Sequence, residues 1–481
     1  MNLIKDYEPV IGLEVHCELA TKTKIFCACS TAFGAEPNTQ VCPVCLGMPG
    51  SLPVLNGKVV DYAIKAGLAT NCEITKFSKN DRKNYFYPDL PKAYQISQYD
   101  LPLCVHGHLD IESEKGQKTI GITRIHIEED AGKLVHDKEK GTFVDCNRCG
   151  VPLIEIVSEP DMRSAEEAVA YVKKLRAIIR YTGISDCKMQ EGSLRADVNL
   201  SVRHKGDEKL GTRTEMKNLN SFTYIQKAIE YEYKRQVELL EKGEKVIQET
   251  RRYDVNSGKT FSMRKKENSD DYRYFPDPDL VPIVTSNEKL ARLKSEIPEL
   301  PDDRKKKYIN NYGLTAYDAE LITNEPGTAD YFETAAEKTK YPKIAANLVI
   351  SDVMTSYDPE TEDIPVEPEH LAQIADMLGD GEINSSVGKS VLKSLWENDC
   401  DAYEYIEKNN LKQISDESKL KPIIDEIIKA NPKSVSDYLK GKTAAAKALM
   451  GQVMRKTSGR ANPTAAEKII VDSLEKLKEK N

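Results

Sequence analysis

Four short runs of this 481-residue chain place acids and bases at alternate positions. They are Ile11-Gly-Leu-Glu14-Val-His16, His126-Ile-Glu128-Glu129-Asp130, Arg195-Ala-Asp197-Val-Asn199 and Arg213-Thr-Glu215-Met-Lys217. Residues two apart on a strand point to one side, so Glu14 and His16 share a face while Leu13 and Val15 turn to a core. Carboxylates, an imidazole, an amide and cations on one pleat face are the donor set for a hard divalent cation and an anionic substrate. One such run reads equally well as the solvated face of an antiparallel sheet. Four together favour a site. Strand alternation from His126 presents Glu128 to that face, whereas a bulge would present Glu129.

A second constellation is Cys27-Ala-Cys29, twelve residues, then Cys42-Pro-Val-Cys45. This is ribbon or knuckle spacing for a closed tetrahedral zinc site, and four thiolates leave no open position for catalysis. The alternative is four free thiols. Cys146-Asn-Arg-Cys149 has the spacing of a half-site without a second pair nearby, and reads as packing beside a polar turn. The loop from Lys83 to Gln98 is dense in aromatic, amide and lysine side chains and stiffened by two prolines. It suits stacking of a base or sugar, or else a surface loop pinned by buried tyrosines. Asp270 to Asp279 carries the same ambiguity.

These residues need elements to hold them. To about residue 295 the pattern is β-rich, with helices expected from a capping box at Ser164-Ala-Glu-Glu167 to about Thr182, and from Ser221 to Lys242. Ile297-Pro-Glu-Leu-Pro301 marks a boundary. Amphipathic helical segments follow near 302–312, 316–323, 368–377 and 386–396, with an acidic, proline-rich surface loop at 358–369. From Lys440 to Lys468 seven positive residues face one acid, a net of +6 in a chain of −8. Lys440, Lys442, Lys447, Arg455, Lys456 and Arg460, interspersed with small residues such as Ser458-Gly459, suit helices meeting a phosphate backbone. A solvated basic hairpin would look the same.

Bulk composition is ordinary for a globular protein, 40% hydrophobic and 30% charged, with no apolar stretch long enough for a membrane helix. The first ten residues carry charges and no apolar signal core, which predicts a cytoplasmic chain with reduced or metal-bound cysteines. Gly441-Lys442-Thr443 resembles the end of a phosphate loop, but Ser436 stands where the first glycine belongs. There is no dinucleotide fingerprint and no nucleophile elbow, so covalent catalysis is not expected.

Taken together, Gly12-Leu-Glu14-Val-His16, Tyr85 to Gln98, His126 to Lys133 and Pro152-Leu-Ile-Glu155-Ile-Val-Ser-Glu159-Pro-Asp161 resemble the B subunits of the aspartyl/glutamyl-tRNA amidotransferases. Gly192 to Asn199, Glu215 to Phe222, Asp271 to Pro276 and Gly451-Gln-Val-Met454 extend the resemblance over essentially the whole chain. It implies an α+β architecture. An antiparallel cradle similar to glutamine synthetase and guanido kinases would occupy 1–295 with the cysteine site inserted, then a helical domain 296–405 and a YqeY-like basic tail 406–481. It implies ATP-dependent transamidation of Glu-tRNA(Gln), Asp-tRNA(Asn) or both. The tRNA-borne carboxylate would be phosphorylated here. An amidase partner (the A subunit) would supply ammonia, and a small third partner (the C subunit) would complete a heterotrimer.

Activating a carboxylate with ATP requires Mg²⁺ to neutralise the phosphates. Glu14, His16, Glu128 or Glu129, Asp197 and Glu215 are the expected ligands. Arg195 and Lys217 are expected on phosphate or developing charge. Tyr85, Lys92, Asn199 and Arg273 are candidates for holding nucleotide. The zinc site would be structural, and the tail would grip tRNA. Two other readings are a non-catalytic zinc-ribbon scaffold for tRNA and a free-standing small-molecule ligase.

Overall fold

A computed structural model describes residues 6–113, 116–137, 139–265, 269–359, 362–414, 416–457 and 459–478. Met1–Lys5 of the N-terminal segment, positions 360 and 361 of the acidic loop and Ser458 of the tail lie outside the described residues. The chain divides into two compact units between Pro301 and Asp302. The first unit reaches past residue 295 because Leu293 is fully buried in its core and Leu300 packs against it.

The strands are β1 (Tyr7–Glu18), β2 (Glu73–Ile74), β3 (Phe77–Ser78), β4 (Asp81–Asn84), β5 (Tyr94–Ser97), β6 (Cys104–Ser113), β7 (Gly116–Glu129), β8 (Lys133–Asp137), β9 (Gly141–Asp145), β10 (Pro152–Ser158), β11 (Leu194–His204), β12 (Thr214–Lys217), β13 (Glu249–Asp254), β14 (Lys259–Lys265), β15 (Phe275–Pro276) and β16 (Ile283–Val284). Four helices accompany them: α1 (Gly57–Ala69), α2 (Ala165–Tyr181), α3 (Phe222–Glu241) and α4 (Asn287–Ser295). Nine strands form one sheet in the order β14-β13-β12-β11-β1-β10-β7-β6-β2. The sheet is mixed rather than wholly antiparallel, because β12 and β13 pair in parallel. The helix α3 lies between them in sequence, and a helical crossover is what returns a chain parallel to its previous strand.

Alternation along β1 separates core from site. Ile11, Leu13, Val15 and Cys17 are at most 1% exposed. They share one core with Ile154 and Ile156 of β10, Ala196 and Val198 of β11, Tyr171 and Leu175 of α2, and Ile225 of α3. The helices therefore cover one face of the sheet and leave the other open. The expected starts of α2 and α3 are met: Ser164 and Ser221 accept from the N–H groups of Glu167 and Tyr224. Each such cap is worth about 1 kcal/mol.

The small sheet β15-β4-β5 braces β7 where β6 has left it. The Gln95 amide donates to Glu129 O at 2.7 Å, and Ile127 N–H donates to Gln98 Oε1 at 3.1 Å. A strand edge that would otherwise be unpaired is thus satisfied by side chains.

The second unit is helical, from Pro301–Tyr312 to Pro463–Lys478. Helices Pro368–Gly379 and Ser385–Glu397 fall where the amphipathic pattern puts them. Two groups of buried residues lie within it, one around Tyr308, Phe332, Leu371 and Leu395, the other around Leu420, Ile424, Leu449, Val453 and Ile470. Mixed sheet with helices, then helices alone, make the chain α+β.

Candidate active site

The open face of the large sheet carries polar residues in register. His16 on β1 sits opposite Glu155 of β10 and Arg195 of β11, and Glu155 sits opposite His126 of β7. In the next row Glu14 lies between Val157 and Asp197, and Val157 faces Arg124. Asn199 pairs with Glu215 of β12. Directly opposed residues share a face, so these rows build one surface. All but Asn199 line a cavity of about 780 Å³, within the usual range for a small-molecule or cofactor site.

That cavity holds two sets of residues, His16, Glu128 and Glu155, and Glu14, Asp197 and Glu215, and within each set the ligand atoms lie within 4.8 Å of one another. In the first, His16 Nε2 is 3.6 Å from both Glu128 Oε1 and Glu155 Oε2. His126 Nε2 lies 3.3 Å from Glu155 Oε2. Burial alone would lower the pKa of His126, but Glu155 and Glu128 reverse this and raise it. Burial opposes ionisation of Glu155, yet His126, His16 and Lys83 hold it well below the usual carboxylate range. In the second set, Asn199 Nδ2 donates to Glu14 Oε1 at 2.8 Å and Thr250 Oγ1 donates to Glu215 Oε2 at 2.7 Å. Lys217 bridges Asp197 and Glu215, lying 3.4 Å from Glu215 Oε1. Burial would lower the Lys217 pKa, but those carboxylates raise it, so the ammonium stays charged.

Oxygen-rich sets with one imidazole suit hard cations, and second partners such as Asn199 and Thr250 fix the ligand rotamers. Arg195 is committed elsewhere: its Nη2 donates to Asp130 Oδ2 at 2.7 Å, and Arg148 approaches the same oxygen at 3.4 Å.

Several expected residues stand outside the cavity wall. Glu129 points to the opposite side from Glu128, ion-paired with Lys92 and accepting from Ile96 N–H at 2.8 Å. The register of β7 against β10 is regular there, with its irregularity at Val157 and Ser158 instead. No bulge turns Glu129 inward, and Lys92 is held with it. Arg273 is exposed and does not line the cavity. Asn199 is absent from the large cavity too. It borders a smaller adjoining one of about 180 Å³ and works on Glu14. Tyr85 does line the wall.

Sequence reasoning assigned no role to Glu155, His126, Lys83, Arg124, Arg213 or Thr250, which all line the cavity. The period-two rule from His126 would have found Arg124. Glu155, a lone acid within the run Pro152-Leu-Ile-Glu-Ile-Val, signals itself by being charged in an otherwise apolar strand.

Away from the cradle, the sulfurs of Cys27, Cys29, Cys42 and Cys45 gather within 4.8 Å of one another. Cys42 Sγ and Cys45 Sγ are 3.9 Å apart, close to the roughly 3.8 Å edge of a tetrahedron with Zn–S of about 2.3 Å. The donors fit zinc. Lys24, fully buried, donates to Gln40 O at 2.8 Å and lies 3.6 Å from Cys45 Sγ. A hydrogen bond from Cys27 pulls the Cys45 thiol down to about 4, with Lys24 adding to the effect, while Cys27 is pushed up. Cys146 and Cys149 are buried beside this cluster without belonging to it.

In the tail, Lys440, Lys442, Lys447, Arg455 and Lys456 are exposed. Lys442 pairs with Asp437 and Lys456 with Glu426. Arg460 is half-buried and donates to Asn410 O at 2.6 Å, so it ties the tail to the preceding helices.

Residues 9–291 match the family model of the GatB/GatE catalytic domain, and 330–474 match that of the GatB domain. A protein of Caldicellulosiruptor saccharolyticus is 54% identical over 479 residues, covering 98% of this chain and 100% of its own. One from Agathobacter rectalis is 55% identical over 475 residues, and one from Carboxydothermus hydrogenoformans 53% over 481, with the same coverage. All three are named as the B subunit of an aspartyl/glutamyl-tRNA(Asn/Gln) amidotransferase. With two domain models spanning most of its length and relatives similar from end to end, the chain belongs to the family of aspartyl/glutamyl-tRNA(Asn/Gln) amidotransferase B subunits.

Proposed function

We propose that the cradle phosphorylates the side-chain carboxylate of a misacylated Glu-tRNA(Gln) or Asp-tRNA(Asn) with ATP, so that ammonia can convert the acyl phosphate to the amide. The carrying observation is the pair of ligand sets, His16, Glu128, Glu155 and Glu14, Asp197, Glu215, within one cavity. Mg²⁺ held by these sets would neutralise the triphosphate and let two anions approach. The remaining chemistry belongs to the chain. Asn199 and Thr250 hold Glu14 and Glu215 in place. His126 keeps Glu155 ionised. Arg195, fixed by Asp130, presents positive charge at the wall where the carboxylate must enter. The carboxylate oxygen attacks the terminal phosphorus and ADP leaves. Ammonia then attacks the acyl carbon, inorganic phosphate leaves, and a proton is lost from nitrogen.

Zinc at the four cysteines would be structural, holding the insertion next to β1. The amidase partner would supply ammonia from glutamine, and the small third partner would complete a heterotrimer. The exposed cations Lys440, Lys447 and Arg455 would contact the tRNA body, with 406–481 acting as a domain of its own after the helical domain. A cytoplasmic setting fits; among the described residues no helix is long and apolar enough to cross a membrane.

The test is co-purification with partner subunits, then amide formation on charged tRNA with and without ATP. Glu14→Gln and Asp197→Asn should abolish ATP-dependent amide formation while tRNA binding persists, and unchanged turnover would refute the reading. Removing residues beyond about 405 should raise KM for charged tRNA; activity untouched by that truncation would refute the role of the tail.

A further inference from the structure

The cations of the cavity differ in what already holds them. Arg195 is bound to Asp130, and Lys217 to Asp197 and Glu215. Lys83 lies over the rings of Tyr85 and Tyr272, 5.8 and 4.9 Å from their centroids. Arg124 and Arg213 line the same cavity. Among the described residues, neither side chain has an ion pair or a hydrogen bond within the chain. Arg124 Nε is also buried from solvent with nothing to donate to, as is Arg195 Nε, but Arg195 already spends its charge on Asp130 whereas Arg124 has no carboxylate partner. A buried guanidinium N–H left unmet costs free energy, and an oxyanion is the natural acceptor for it.

We propose that Arg124 and Arg213 hold the phosphate chain of the nucleotide, replacing the roles expected of Arg195 and Lys217. The inference rests on the reading of the cavity as an ATP site. Position supports it. Arg124 on β7 begins the row that continues through Val157 to Glu14 and Asp197. Arg213 immediately precedes β12; carried one step on from the pairing of Leu200 with Thr214, it stands level with Ser201, four residues along the strands from that row, whose β12 member is Lys217. Four inter-strand steps of about 4.8 Å across and four residues of about 3.4 Å along put their backbones roughly 23 Å apart. Both side chains line the cavity that holds the Glu14 ligand set, Arg124 from two strands away in the same row and Arg213 from further along the strands. Six carboxylates line the cavity (Glu14, Glu128, Asp130, Glu155, Asp197 and Glu215). Their field repels a polyphosphate unless uncommitted cations stand among them. A planar fork also matches phosphate oxygens two at a time, which an ammonium does not.

The experiment uses the full-length chain with Mg·ATP, tripolyphosphate and adenosine as probes in titration calorimetry, and charged tRNA as a fourth. Arg124→Met and Arg213→Met should each weaken Mg·ATP and tripolyphosphate about tenfold to a hundredfold. Adenosine and tRNA affinities should stay at their wild-type values, and Arg124→Lys should recover part of the loss. Arg213 is exposed, so its variant reports on binding even if Arg124→Met fails to fold. Unchanged Mg·ATP and tripolyphosphate affinity in the folded variants would overturn the assignment while leaving the ATP site standing, as would a loss confined to tRNA. A wild-type chain that binds neither ATP nor tripolyphosphate would overturn both.

Discussion

Replacing Lys217 with methionine should tighten divalent-cation binding rather than weaken it. The ammonium occupies the ligand set that a cation needs: it bridges Asp197 and Glu215, 3.4 Å from Glu215 Oε1. Unit charges at that distance interact by about 5 kcal/mol at an effective dielectric of about 20. The Lys217 side chain is 37% exposed, and solvent screening of such a pair reduces the competition to about 1–2 kcal/mol. Methionine keeps the apolar stem and removes the charge, so three carboxylates are left to one incoming ion. Affinity for Mn²⁺ without nucleotide should rise about fivefold to thirtyfold. Because the carboxylates raise the Lys217 pKa, the gain should be flat across neutral pH. The assay is titration of free Mn²⁺ by electron paramagnetic resonance. Equal or weaker binding by the variant would show that Lys217 organises the carboxylates instead of competing for them.

Three other perturbations have definite outcomes. Glu155→Gln removes the carboxylate shared by His16 and His126 and should weaken one class of Mn²⁺ sites about tenfold or more, leaving the Glu14 set intact; a full wild-type isotherm would count against two sets. Cys45→Ser should lower zinc to well below one per chain by elemental analysis, while full zinc content would dismiss the four-cysteine centre. Glu232, fully buried, accepts from Thr214, Thr260 and Arg235. Burial would raise its pKa, but Arg235, Gln236 and Arg251 lower it. A carboxylate depressed in the folded state stabilises above its unfolded pKa of about 4.3 and loses that contribution as pH falls through the folded value. Glu232→Gln should therefore unfold about 3–5 kcal/mol more easily at pH 7, with the difference shrinking in acid. A pH-independent gap in denaturant titrations would contradict this.

The strand faces were legible because period-two alternation survives in the chain wherever one side of a strand is buried. His126 and Glu128 point into the cavity as that rule requires. The cysteine cluster was legible from spacing alone, since short thiolate spacings leave little freedom of geometry. What hid the rest is that cavity walls are assembled across strands. Glu155 meets His16 only through the register of β10 against β1, and nothing in its own neighbourhood announces that pairing. Lys92 and Arg273 looked equivalent to Tyr85 by composition, yet a loop has no fixed period to say which side chains turn inward. The helix α1 escaped notice because its Gly57 and Gly67 dilute the helical pattern. Gly67 is needed there, as a Cβ would lie 2.5 Å from Cys104 Sγ.

If the two ligand sets hold metal as proposed, the strict alternation on β1 ties correct folding to metal capture. A slip of one residue in its pairing would turn Glu14 and His16 into the core and Leu13 and Val15 to solvent. Such a chain would lose ligands from both sets at once, since β1 contributes to each. Metal binding can therefore select the correct register during folding, favouring the one alignment of β1 between β10 and β11 that completes both sets.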